Sequence, residues 1–214
     1  MNGITVPMAI FDFVPVVLFF LAAVLLQRDL YGKMVKGAFS LLAAGSILVL
    51  LAGVYKALWK ILYACGVCDY PVLAASFFPI QAPGFLLVFL AMLAYLTRKK
   101  TAGRVYAVAA VPVFESSLPF LAGQIIGCAG FQWCLFALAR RQRQKRAAAL
   151  FVLSFVFMMA MGYLSARFDN SASMHWLAQS VNLVGNGALL WGVVLLHRAG
   201  FRTAGKDCEN TSAL

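Results

Sequence analysis

Long apolar stretches make up most of this chain, and short polar segments rich in Lys, Arg, Gly and Pro separate them. Most of the stretches approach or exceed the roughly 20 residues that a helix needs to cross a bilayer, and none shows the alternation over ~10 residues that is typical of a membrane barrel strand. The pattern predicts an all-α integral membrane protein with seven transmembrane helices, at about residues 6–27, 37–64, 72–97, 105–117, 120–139, 147–166 and 175–196.

The fourth and fifth of these helices come from one stretch that is too long for a single crossing. It starts at Arg104 and finishes at Arg140, and a helix of that length at 1.5 Å per residue exceeds the thickness of a bilayer. We place the break at residues 116–119, because Pro disfavours helix at the residue before it. The seven spans form one domain, residues 1–201, and residues 202–214 form a polar cytoplasmic tail.

The distribution of charge gives the predicted orientation. With 63% hydrophobic and 12% charged residues, the chain has more apolar side chains than a soluble domain of its size can bury. A net charge of +11 would suggest nucleic acid in a soluble protein, but here fifteen of the eighteen Lys and Arg residues fall in four clusters at the ends of apolar stretches. This is the pattern of cytoplasmic loops, and it predicts a bilayer and no nucleic acid as partner. The clusters are Arg28, Lys33 and Lys36; Arg98, Lys99, Lys100 and Arg104; Arg140, Arg141, Arg143, Lys145 and Arg146; and Arg198, Arg202 and Lys206.

The predicted location is therefore a plasma membrane, with a bacterial inner membrane favoured. The N-terminus lies outside and the C-terminus in the cytoplasm. The first apolar stretch lacks a basic segment before it, so we expect it to remain as the first span and not to be cleaved as a signal peptide.

Polar side chains within the predicted spans collect in the outer half of the bilayer. Gln179, Asn182 and Asn186 in the seventh helix share one face, since they are spaced at i, i+3 and i+7. Polar groups in hydrocarbon are costly and commonly mark a pathway, a pocket or a helix contact. We therefore predict a small-molecule site at this level. The predicted substrate-binding residues are Asp12, Lys56, Trp59, Gln81, Glu115, Gln124, Gln179, Asn182 and Asn186.

Two interpretations of the lysines in the second helix stay open. Lys56 and Lys60 share a helix face, and either of them can pair with Asp12 or Glu115 beneath the pocket. Alternatively, both extend to the lipid headgroups with Trp59 in the aromatic belt. For Lys60 we favour this second interpretation, and for Lys56 the two are balanced. Two interpretations also stay open for the Gln and Asn side chains of the predicted site. They either bind the solute or only form hydrogen bonds between helices.

Cys65 and Cys68 form a CxxC pair in the predicted outer loop. They suggest a redox site or a disulfide, although two ordinary cysteines or a structural disulfide are favoured over thiol chemistry. His175 and His197 are the only histidines and lie at opposite ends of one helix, which disfavours haem and zinc. The seventh helix has no Lys for a retinal Schiff base. We predict no catalytic residue, metal site or cofactor.

A faint internal repeat is present. Three residues of the first helix have counterparts at identical spacing in the fifth, as two parallel three-helix repeats joined by one helix (3+1+3) would require. Chance agreement of three residues is the alternative interpretation. The matched pairs are Pro7 with Pro119, Asp12 with Gln124, and Arg28 with Arg140.

The leading functional hypothesis is a transporter for a small polar or charged solute, with Asp12 or Glu115 as the group that couples a proton or cation. A receptor that binds an extracellular small molecule is the first alternative, and a thiol-redox enzyme using Cys65 and Cys68 is the second. Gly123, Gly127 and Gly130 allow close helix approach, so association of several copies is left open.

Overall fold

A computed structural model describes residues 5–97, 118–166 and 172–200, and these residues form helices and turns without a β-strand. The helices of this part of the chain are α1 (Val6–Phe11), α2 (Phe13–Leu30), α3 (Lys36–Ala64), α4 (Pro71–Ala75), α5 (Phe77–Leu96), α6 (Leu118–Arg141), α7 (Lys145–Ala166) and α8 (Ala172–Arg198).

Within the described residues, six segments are long and apolar enough to cross a membrane. The all-helical, multi-pass part of the sequence prediction is therefore confirmed. The predicted fourth helix, residues 105–117, and the tail, residues 202–214, lie outside the described residues. The spanning segments are Val6–Leu30, Lys36–Ala64, Pro71–Leu96, Pro119–Arg141, Lys145–Leu164 and Ser173–Arg198.

Two of the spanning segments are interrupted near their starts, at Asp12 between α1 and α2 and at Ser76 between α4 and α5. Each break comes three residues before a proline, Pro15 or Pro79. A proline cannot donate to the carbonyl four residues earlier, and its ring clashes with that carbonyl. The carbonyls concerned belong to the last residues of α1 and α4, so the prolines account for where these short helices end.

Contacting residues show the direction in which neighbouring helices run. Along α5 and α6 the residue numbers of the contact partners rise together, and the same holds for α2 and α8, so each of these pairs is parallel. Since α5 and α6 are parallel, the end of α5 and the start of α6 lie at opposite ends of the bundle. The contacts are Gln81 with Gln124, Leu96 with Arg141, Asp12 with Gln179, and Asp29 with His197.

The helices form a closed ring in the order α2, α3, α5, α6, α7, α8, with α8 packed against α2. The turns from α2 to α3 and from α6 to α7, and the end of α8, lie at one end of this ring, which we call the basic end. Apart from Lys56 and Lys60, every Lys and Arg in the described part of the chain lies there. The opposite end is called the Asp12 end, after the residue at the break between α1 and α2.

The centre of the ring is filled with apolar side chains towards the basic end. Large residues such as Leu30, Met92, Leu135, Phe151 and Leu196 are fully buried there and belong to one hydrophobic core. Burial of this kind packs side chains from every helix of the ring against one another. Among the described residues, the large cavity lies towards the Asp12 end.

Helices α3 and α5 touch through their backbones. A Cβ atom at Gly45 would lie 2.6 Å from the carbonyl oxygen of Gly84 and 2.8 Å from Cγ2 of Val88. Small residues at such crossings let two membrane helices approach closely and gain dispersion contacts. Position 45 therefore requires glycine because there is no room for a side chain, and not because of its backbone conformation.

Gly45→Ala is expected to lower the free energy of unfolding by about 1–3 kcal/mol, because the added methyl overpacks the α3–α5 contact. Gly37→Ala, on the same helix with open space around the new methyl, is the control and should leave stability unchanged or slightly higher. Equilibrium unfolding of both variants in detergent micelles measures the difference. Equal stability of the two variants would contradict close packing at Gly45.

Candidate functional site

A cavity of about 460 Å³ lies inside the ring towards the Asp12 end. Its wall includes residues of α2, α3, α5, α6, α7 and α8, so no single hairpin forms it. The volume is within the range of roughly 300–1,000 Å³ that is usual for small-molecule sites. A site shared by all six helices of the ring responds to any change in how these helices are arranged.

Asp12 forms the polar centre of the cavity wall. Its carboxylate makes an ion pair with the Lys60 ammonium, and Oδ1 accepts a hydrogen bond of 2.7 Å from Nε2 of Gln179. The same Gln179 nitrogen donates to the carbonyl oxygen of Met8 at 2.8 Å. Asp12 therefore links the break between α1 and α2 to α3 and to α8.

The favoured expectation for Lys60, that it extends to the headgroups, is wrong. Its residue surface is only 8% exposed, and its ammonium lies against Asp12. An ammonium buried in an apolar bundle is tolerated when a carboxylate compensates it. The nearby carboxylate at the helix break explains why Lys60 turns inwards.

Lys56 lies one helical turn before Lys60 and lines the same cavity. Its ammonium is 4.3 Å from the ring centroid of Phe77, close enough for a cation–π contact. No carboxylate of the described residues lies within 4 Å of it. Among the described residues, the Phe77 ring is the partner that directly contacts the Lys56 ammonium, and the Asp12 carboxylate acts on it only from a longer distance.

The amides of three helices complete the polar wall. Nε2 of Gln124 donates to Oε1 of Gln81 at 2.8 Å, which joins α6 to α5. Nδ2 of Asn186 donates to Oδ1 of Asn182 at 2.8 Å, one turn earlier on α8. Gln179, Asn182 and Asn186 all line the cavity, as residues on one helix face should.

Most of the remaining wall is apolar, and the sequence alone did not identify it as part of a site. Phe78, Phe85, Phe157, Met158 and Met159 all line the cavity. Apolar residues of a membrane helix look alike in sequence whether they face lipid, another helix or a cavity. A polar neighbour on the same face is the signal that distinguishes them, and among the side chains of α7 that the structure describes only one is polar and buried, Ser154.

The structure brings seven of the nine predicted binding residues to the cavity wall, with the two exceptions Trp59 and Glu115. Trp59 does not line the cavity; its Nε1 donates to Oδ1 of Asp69 at 3.0 Å, and its ring lies near Tyr63. Glu115 lies outside the described residues. The seven residues are Asp12, Lys56, Gln81, Gln124, Gln179, Asn182 and Asn186.

Cys65 and Cys68 are free thiols in the turn after α3, and neither is part of the cavity wall. Cys128 does line the cavity, and its Sγ lies 3.3 Å from Sδ of Met158. No group of three His, Cys, Asp or Glu residues able to hold a metal occurs among the residues that the structure describes.

Comparisons with protein-family models, with curated proteins and with solved structures find no match to this chain. The interpretation of the cavity therefore depends on its own residues.

Asp12→Asn is expected to lower the free energy of unfolding by about 3–5 kcal/mol, since it leaves the Lys60 ammonium buried without a carboxylate. Asp69→Asn is the matched control. It weakens one exposed hydrogen bond, to Trp59, and should cost about 1.5 kcal/mol or less. Unfolding in micelles measures both.

The double variant Asp12→Asn, Lys60→Met removes both charges and should recover a large part of the stability lost in Asp12→Asn. If Asp12→Asn lowers the free energy of unfolding no more than Asp69→Asn does, Asp12 and Lys60 do not form a buried ion pair.

Proposed function

We propose that the protein is a transporter of a small polar or charged solute, which binds in the cavity at the Asp12 end. The observation that carries the proposal is a cavity of small-molecule size, enclosed by membrane-spanning helices and lined by polar side chains of several of them. Polar groups at such depth are expensive in a membrane and are usually retained for a function.

The proposed topology has seven spans, with the Asp12 end outside and the basic end in the cytoplasm. The gathering of Lys and Arg at one end supports this orientation. The parallel course of α5 and α6 supports a crossing between them, for which residues 105–117 are the proposed helix. We take the membrane to be a plasma membrane, with the bacterial inner membrane as the leading case.

The proposal includes a duplicated architecture, with α1–α5 as one half and α6–α8 as the other. The contacts between the halves support it because they come in matching pairs. At the Asp12 end, Asp12 of the first half meets Gln179, and its proposed counterpart Gln124 meets Gln81. In both contacts the first helix of one half bonds to the last helix of the other.

A second matching pair of contacts between the halves lies at the basic end. Asp29 contacts His197 at 2.8 Å, and Arg141, which holds the same offset from Gln124 as Asp29 holds from Asp12, donates to the carbonyl oxygen of Leu96 at 3.1 Å. Parallel repeats that enclose a central site are a common basis for alternating access, since one half can rock against the other. The cavity lies between the two proposed halves, as that mechanism requires.

Asp12 is the proposed coupling group. Its carboxylate binds the Lys60 ammonium and the Gln179 amide together. Uptake of a proton would cancel its charge and weaken both contacts. Gln179 belongs to the second half, whereas Asp12 and Lys60 belong to the first. Protonation of Asp12 would therefore weaken the contact between the two halves at the Asp12 end. Glu115 remains the other candidate for this role.

A receptor for a small molecule is the second candidate. The observation that favours it is the packed apolar core between the cavity and the basic end, where Met92, Leu135 and Phe151 are fully buried. A solute leaving towards the basic end would have to pass through this region. A receptor needs no such path.

Two-sided cysteine labelling distinguishes the candidates. In a background without native cysteines, Asn182→Cys is expected to react with an impermeant thiol reagent from outside and, in inverted vesicles, from inside. Val184→Cys on the same helix is the control, because Val184 is exposed on the outer surface of the bundle and should face lipid. Labelling of Asn182→Cys from outside only would favour the receptor, and labelling from neither side would contradict both candidates.

A further inference from the structure

We infer that the cavity binds an organic monoanion, a small carboxylate with an apolar body, whose charge is held by Lys56. The inference rests on the proposed function in one respect, namely that the solute is taken up into the cavity; it adds the chemical class of that solute.

The charges that the described residues bring to the cavity wall do not cancel. Among the described residues that line it, the charged groups are Asp12, Lys56 and Lys60. The ion pair with Asp12 compensates Lys60, and Lys56 retains one positive charge against the Phe77 ring. A buried cation without a counter-ion is costly, so one negative charge in the cavity would be stabilised strongly.

The amides add donors to the wall of the same cavity. Oε1 of Gln81 and Oδ1 of Asn182 already accept hydrogen bonds, from Gln124 and Asn186. The amide nitrogens of Gln81 and Asn182 have no acceptor among the described residues, and both residues line the cavity. A carboxylate accepts several hydrogen bonds and is therefore matched by one ammonium and such amide donors.

Two of the unused amide oxygens on the described wall are not accessible from the cavity. Oε1 of Gln124 and Oε1 of Gln179 are enclosed and have no partner in the described part of the chain. A ligand that donates many hydrogen bonds, such as a neutral polyol, would not reach these oxygens. The wall thus favours a ligand that accepts hydrogen bonds.

The rest of the ligand should be apolar. Phe78, Phe85, Phe157, Met158 and Met159 form much of the wall, and aromatic and thioether groups pack against hydrocarbon or an aromatic ring. One excess positive charge matches a monocarboxylate, whereas a phosphate dianion would leave a negative charge uncompensated. The chemistry therefore favours a free aryl- or alkyl-carboxylic acid that fits within about 460 Å³.

The test is calorimetric binding to the full chain in phosphatidylcholine nanodiscs, with 3-phenylpropionate as the probe. Its neutral amide and the cation 3-phenylpropylamine have nearly the same shape and serve as matched ligands. We expect the carboxylate to bind at least about tenfold more tightly than either, because only the carboxylate forms a charge-assisted contact with Lys56. Equal affinity for the three ligands, or no binding of the carboxylate, would overturn the inference.

Variants assign the charge to Lys56. Lys56→Gln should weaken 3-phenylpropionate binding by about tenfold or more, and Lys56→Arg should retain most of the affinity, which shows that the site is still folded. Lys36→Gln, at the basic end, removes an exposed lysine of the same helix and should leave binding unchanged. An unchanged affinity in Lys56→Gln would overturn the inference.

Palmitate separates a free small acid from a membrane lipid as the source of the carboxylate. We expect 3-phenylpropionate to bind whether or not palmitate is present in the nanodiscs. If palmitate binds in a way that depends on Lys56 and 3-phenylpropionate does not bind, the inference that the ligand is a free small acid would be overturned. Since calorimetry does not need transport, a positive result together with outside-only labelling of Asn182→Cys would reject the transporter and keep the anion site.

Discussion

A carboxylate placed within a membrane-spanning segment has to be compensated, and the structure around Asp12 follows from that requirement. Asp12 lies at the break between α1 and α2, pairs with Lys60 of α3 and accepts a hydrogen bond from Gln179 of α8. The two partners come from different helices, so the ion pair and the hydrogen bond join α3 and α8 to the break between α1 and α2. Removing one partner would leave a buried charge, which costs more than the pair contributes. The polar cluster therefore determines how the Asp12 end of the ring is arranged.

The opposite half of the ring is held together by different forces. Towards the basic end, apolar side chains from all six helices pack without a void of comparable size, and the Gly45–Gly84 contact draws α3 against α5. One half of the bundle is thus packed, and the other is polar and hollow. A bundle of this kind keeps its fold through the packed half while the hollow half changes its contacts. Such a division of roles suits a protein whose cavity has to fill and empty, and it is consistent with the proposed transport of a small anion.

Sequence patterns predicted an all-helical, multi-pass protein, and six spans occur among the described residues, because apolar length alone identifies a span. They did not predict the orientation of Lys60, since a long side chain reaches either headgroups or a carboxylate, and the choice depends on a partner far away in sequence. The sequence predicts Trp59 in the site as well, whereas its indole donates to Asp69. The apolar wall at Phe157 and Met158 carries no mark in the sequence that separates it from a lipid-facing surface. Glu115 and the fourth helix stay predictions.

Transport by alternating access requires motion of one half of the ring against the other, and distances between spin labels measure this motion directly. In the background without native cysteines, one label pair at Val67 and Ser173 spans the halves at the Asp12 end, and a second at Tyr31 and Lys145 spans them at the basic end. All four positions are exposed or half-buried at the ends of helices. We predict two populations of distances at each end. When 3-phenylpropionate is added, the population with the longer distance should grow at one end while the population with the shorter distance grows at the other. A single distance at both ends, unchanged by the ligand, would contradict transport by alternating access.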